Sequence, residues 1–106
     1  MTTVYHREYY DRLVITIEGH SGYGFNGEDI VCAAVSALGF TLLNCVLDEE
    51  AAENIRVIRN IVREGYIHIE FIAFDFSKER IKGMLDACLT GFYMLEESYP
   101  DYIRVK

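Results

Sequence analysis

The 106-residue chain is short of cations. Ten Lys and Arg stand against seventeen Asp and Glu, a formal net charge of −7. Nucleic-acid binders need clustered Lys and Arg, so this balance argues against a nucleic-acid partner. It suits a basic protein or peptide partner, or solubility alone. Cysteine is sparse and odd in number: Cys32, Cys45 and Cys88, with no CxxC pair, do not read as a disulfide framework. The first seven residues lack the apolar stretch of a signal peptide. The longest apolar run, 30–47, contains Ser36, Gly39, Thr41 and Asn44 and reads as a buried helix, not a membrane span. There is no internal repeat and no tight His/Cys/carboxylate cluster, so neither a metal nor another cofactor is expected. These absences predict a soluble protein of a reducing cytoplasm.

What is present is a hydrophobic fraction of 51%, enough for the core of one domain spanning 1–106. Eight Tyr and six Phe are many for so small an interior, and a self-associating surface is one outlet for them. Alternation predicts strands over 4–9 and 13–18, joined by a turn at Tyr10-Asp11-Arg12. A loop follows over 20–28, with Gly22, Gly24 and Gly27, and then a helix over 30–47 that stops at Asp48-Glu49-Glu50. A second hairpin over 54–62 and 66–74 turns at Arg63-Glu64-Gly65. In its later strand Ile67, Ile69, Phe71 and Ala73 share one face; the earlier strand has a mixed pattern and an open register. Ser77 is a cap for a second helix with the stripe Ile81, Leu85, Cys88, Phe92 and Leu95, stopped by Pro100 before a short strand over 102–105. The order β-β-α-β-β-α-β predicts an α+β fold, a mostly antiparallel sheet with two helices packed on it.

The chemistry concentrates where the loop meets the first helix. Asp29 is a natural N-cap, able to accept from the N–H of Val31 or Cys32. Cys32 then lies in the first helical turn, where the helix dipole and unpaired N–H groups favour a thiolate and can hold an oxyanion. The negative charge of Asp29 opposes this, so Asp29 fits a cap or an orienter of His20 better than an activator. His20 is twelve residues earlier, and its reach depends on the loop. Ser36, one turn beyond Cys32, either supports the site or back-bonds to the helix. Composition alone leaves the plainer readings open: Cys32 as a small buried hydrophobe, His20 as a solvated loop residue, Cys45 and Cys88 as core, His6 exposed, and His68 and Glu70 on a solvated face.

The string Gly19-His20, a glycine-bearing loop, then Gly27-Glu28-Asp29-Ile30-Val31-Cys32-Ala33-Ala34-Val35-Ser36 resembles the signature of the ribosomal-processing cysteine protease family Prp. The match is strong over about 18 residues, and chain length and element order agree elsewhere. Ser21 departs from it, standing where the family commonly has alanine. The resemblance implies a homodimeric cysteine endopeptidase that removes the N-terminal extension of ribosomal protein bL27 during ribosome maturation. It implies Cys32 as nucleophile, His20 as general base, and Asp29 and Ser36 in support. It also implies a mobile substrate-binding loop of Ser21, Gly22, Tyr23, Gly24, Phe25, Asn26 and Gly27. Apart from the resemblance, the aromatic rings of Tyr23 and Phe25 are expected to touch apolar substrate groups. The rival readings are a non-enzymatic ribosome-associated binding module and another small thiol hydrolase.

Overall fold

The structure is a computed structural model and describes residues 1–25 and 27–106; Asn26, expected in the substrate loop, lies outside the described residues. The first hairpin pairs β1 (Thr2–Tyr9) with β2 (Arg12–Glu18) through the two-residue turn Tyr10-Asp11, with Tyr9 opposite Arg12. Helix α1 (Ile30–Ala51) follows, then β3 (Ile55–Arg63) and β4 (Tyr66–Ala73). A 3-10 turn (Asp75–Ser77) leads into α2 (Lys78–Ser98), and β5 (Ile103–Val105) ends the fold. The sheet order is β3-β4-β2-β1-β5, antiparallel throughout except for β5, which runs parallel to β1. The expected α+β architecture and element order are both present.

Alternation decides the two faces of the sheet. Val4, Ile15, Ile17, Ile67, Ile69, Phe71 and Ala73 are buried and meet the helices. Helix α1 packs tightly on the sheet at Gly39, where an added Cβ would stand 3.0 and 3.1 Å from the Cδ1 atoms of Ile67 and Ile17. The mixed pattern of β3 has a specific cause. Val57 pairs with Phe71 and Arg59 with Glu70, so Ile58 is an extra residue in a β-bulge that shifts the alternation by one. Asn60 thereby falls opposite Ile69 on the helix-facing side, and its buried Oδ1 has no hydrogen-bond partner among the described residues.

Three local expectations change. Helix α1 passes Asp48 and ends at Ala51, because Glu49 is buried in ion pair with Arg80 at 2.8 Å and accepts from Asn54 Nδ2 at 2.6 Å. The Arg80 and Asn54 contacts hold the Glu49 carboxyl below its ordinary range, so its charge joins the two helices instead of ending one. Ser77 precedes α2 but does not cap it; its hydroxyl donates to the carbonyls of Asn54 and Phe74. His6 faces the helix layer and contacts the Tyr93 hydroxyl at 3.0 Å. Helix α1 is long and apolar enough to cross a membrane by length and composition, yet here it lies along the sheet on Val31, Val35, Leu42 and Val46.

Candidate active site

Chain direction and capping place the thiol. Asp29 leaves the loop with extended backbone (φ −81°, ψ 103°), and its Oδ1 accepts the Cys32 N–H at 2.9 Å. Its other oxygen gathers the loop, accepting from the Ser21 hydroxyl at 2.6 Å, Tyr23 N–H at 3.1 Å and Gly24 N–H at 3.2 Å. Partial burial pushes this carboxyl up. The Ser21 hydroxyl and the Cys32 and Gly24 N–H groups outweigh that and hold it well below the usual carboxylate range. Asp29 is therefore an ionised hub that caps α1 and ties residues 21–24 to it. None of its hydrogen bonds goes to His20.

Cys32 is half-buried at the start of α1. The Ser21 N–H donates to its Sγ at 3.3 Å, and the Ser21 hydroxyl oxygen also stands 3.3 Å from it. Because the Ser21 proton is directed at ionised Asp29, its oxygen is free to accept from the thiol. Ser21 is only 3% exposed and points inward beneath the site. It was expected as a substrate-contacting loop residue; its side chain instead links Asp29 to Cys32. The Cys32 N–H, a natural oxyanion donor from its position, is already taken by Asp29. The N–H that points at the sulfur is that of Ser21.

His20 is exposed and is held from the far side of the site by the β3–β4 turn. Gly19 (φ 93°) donates its N–H to the Gly65 carbonyl at 2.9 Å, and its backbone passes so close to Met1 that no Cβ fits there. Gly65 (φ 67°) lies under the imidazole, where a Cβ would be 2.8 Å from Nε2. Gly65 thus seats His20. Its Glu64-Gly65 context was legible only as a hairpin turn, and nothing nearby in sequence ties it to the histidine.

His20 and Cys32 line one groove of about 650 Å³. One wall is α1, through Cys32, Ser36 and Phe40. The other is the hairpin end, through Arg63, Glu64 and Tyr66. Gly22, Gly24 and Gly27 border it from the loop. Ser36 is exposed in the groove wall one turn beyond Cys32. Tyr23 turns away from the groove and packs edge-on against Tyr99 and Tyr102, with ring centroids 5.5 and 5.1 Å apart, so it anchors the loop to the C-terminal end of α2. Phe25 is 83% exposed at the loop tip. Elsewhere Cys88 is buried and Cys45 half-buried; burial first, then Cys45, pushes the Cys88 thiol up, as suits structural cysteines. No group of three or more His, Cys, Asp or Glu among the described residues is placed to hold a metal ion. The arrangement offers a thiol at a helix start, an imidazole, N–H donors and an open groove, the parts of acyl transfer through a thioester.

Comparison with known proteins agrees with that chemistry. A family model described as cysteine protease Prp matches residues 1–104. The ribosomal processing cysteine protease Prp of Staphylococcus aureus (strain NCTC 8325 / PS 47) is 29% identical over 93 residues, covering 86% of this chain and 82% of the relative. That of Bacillus subtilis (strain 168) is 28% identical over 103 residues, covering 93% and 90%. The crystal structure of the S. aureus protease with a covalently linked product peptide superposes with a TM-score of 0.80 at 25% identity, covering 100% of this chain and 98% of that one. SMU.848 from Streptococcus mutans gives 0.70 at 27% identity, covering 100% and 92%.

Proposed function

We propose that this chain, which belongs to the cysteine protease Prp family, removes the N-terminal extension of ribosomal protein bL27. Family membership makes it a cysteine-type peptidase. One observation carries the residue assignment: the Cys32 thiol stands at the start of α1 and faces a groove that His20 also lines. In this reading His20 takes the Cys32 proton and the thiolate attacks the scissile carbonyl carbon. The Ser21 N–H and the positive end of α1 meet the oxyanion. His20 returns the proton to the leaving amine, which departs and leaves a thioester on Cys32. Water, deprotonated by His20, hydrolyses the thioester and frees the thiol. Asp29 and Ser36 support the site, Asp29 by fixing the loop and the helix start. The acidic chain would draw in a basic ribosomal protein, with an attraction that weakens with salt.

The assignment is tested with Cys32→Ala and His20→Ala against the organism's own bL27 precursor. Both are expected to stop trimming, and normal trimming by either would refute the assignment. The protein is further proposed to work in the cytoplasm as a homodimer. The outward side of α1 supports self-association: residues 30–47 carry no charge, and Ile30 and Leu47 are 55% and 43% exposed. Light scattering at micromolar concentration distinguishes dimer from monomer.

A further inference from the structure

The sheet face turned away from the helices is basic in a chain that is acidic overall. The strand register makes this visible. At the hairpin end one row runs Arg104–Thr3–Glu18–Tyr66–Arg63 across the five strands. The next runs Tyr5–Thr16–His68–Ile61, with the Lys106 amine 5.7 Å above the Tyr5 ring. Then come Arg7–Val14–Glu70–Arg59 and Tyr9–Arg12–Ile72–Arg56. Seven of the ten cations stand on this face, the other three being Lys78, Arg80 and Lys82 of α2. Only Glu18 and Glu70 of the seventeen carboxylates share it. The face is formally +5 and the remainder of the molecule −12, giving the net −7. Among the described residues Arg12 alone of the seven is in an ion pair, with Glu70 at 2.7 Å. The bulge at Ile58 is what lets Arg56 and Arg59, three apart in sequence, share a face.

Aromatic rings stand between these cations. Tyr5 and Tyr9 are 38% and 39% exposed. The Arg7 guanidinium lies 5.8 Å from the Tyr9 centroid and that of Arg63 4.8 Å from Tyr66, while Tyr66 stacks on His68 at 9°. Rows of the face repeat about every 6.8 Å along a strand and neighbouring strands are about 4.8 Å apart, so the cations span a patch roughly 20 Å across. A flat platform with guanidinium groups for phosphates and aromatic planes for bases is the surface that single-stranded nucleic acid selects.

We propose that this open sheet face docks single-stranded RNA while the groove, which meets the face at Arg63 and Tyr66, handles the peptide. The choice of RNA among polyanions rests on the ribosomal reading above; the charge segregation does not depend on it. Net charge argued against such a partner, but net charge is silent on clustering, which is what phosphate contacts require.

The test is fluorescence anisotropy of a labelled 15-nucleotide single-stranded RNA titrated with the full chain from 25 to 200 mM salt. With about four phosphate contacts, log K should fall with log salt at a slope of about −3. Arg56→Gln/Arg59→Gln, both exposed and outside the groove, should weaken binding at least tenfold at low salt and reduce the slope by about 1.4. The same double variant should cut the bL27 precursor peptide at the wild-type rate, and its circular dichroism should match. Lys78→Gln/Lys82→Gln on α2 should bind RNA as wild type does. Tyr5→Ala/Tyr9→Ala should weaken binding with the slope unchanged, and a polyphosphate of equal charge, lacking bases, should compete at least tenfold less well. No binding at 25 mM salt, equal losses from the two cation pairs, polyphosphate competing as well as RNA, or anionic vesicles or an acidic peptide bound in preference would each overturn the proposal. Failure to cut bL27 alongside Arg-dependent RNA binding would refute the substrate and leave the RNA face standing.

Discussion

Replacing Asp29 by asparagine separates two readings of that residue. If Asp29 is only a helix cap, Asp29→Asn should be nearly neutral, because Asn and Asp cap equally well. The structure gives it more to do. Its carboxylate accepts four hydrogen bonds, from Ser21, Tyr23, Gly24 and Cys32. An asparagine keeps one acceptor oxygen for the Cys32 N–H and turns an NH2 donor toward the Tyr23 and Gly24 donors. Loss of two or three charge-assisted bonds, which are not additive, should destabilise by about 2 kcal/mol at pH 7. The pH dependence carries a sign. The Asp29 carboxyl is held well below its ordinary range when folded, so its stabilisation is present above the unfolded value near 3.9 and is lost as pH falls below that. Each unit below the unfolded value removes up to about 1.4 kcal/mol, so the gap between wild type and Asp29→Asn should shrink by about 1 kcal/mol between pH 6 and pH 3. Other carboxylates titrate in both proteins and largely cancel in the difference. Urea unfolding of the two proteins across that range measures it. A variant within 0.5 kcal/mol of wild type at pH 7, or a gap constant down to pH 3, would refute the hub.

Two further outcomes follow from single positions. Gly65→Ala meets both a positive φ and the His20 ring, so it should lose about 1 kcal/mol and most peptidase activity. Gly65→Asn tolerates the φ but keeps the clash, so it should recover stability without activity; full activity in either variant would show that Gly65 does not seat His20. Asn60→Val removes a buried oxygen that has no partner and places a β-branched residue opposite Ile69, so it should stabilise by about 1 kcal/mol and raise Tm by roughly 4–8 °C. An unchanged or lower Tm in a thermal scan would count against that burial.

Local features were legible wherever one element decides them. Alternation in 13–18 and 66–73 fixed which residues face the helices, and Asp29 caps α1 through Cys32, one of the two N–H groups it could reach. What the sequence hid lies between elements. The end of α1 depends on Arg80, thirty-one residues from Glu49, so a local charge rule stopped the helix early. Tyr23 looked like a substrate contact because loop aromatics often are, whereas Tyr99 and Tyr102 at the other end of the chain claim it. Ser21 looked like a mild replacement beside the histidine. Only folding brings its hydroxyl between a carboxylate and a thiol that follow it by eight and eleven residues.

The charge distribution is the sharpest case of information held by pairing rather than by composition. In β3, Arg56 and Arg59 are an odd number of residues apart, and strict alternation would send them to opposite faces. The extra residue Ile58 returns both to the open face, and the same shift turns Asn60 inward to an unpartnered site. One irregularity therefore strengthens a basic surface and leaves a buried polar group unsatisfied, a local loss of about 1–3 kcal/mol. A deleterious core position beside an arginine cluster is what a sheet shaped by demands on its outer face would show. The core alone would favour an apolar residue at 60. If the outer face is idle, nothing in the structure offsets that loss; if it holds a polyanion, the bulge and its orphaned asparagine have a common physical origin.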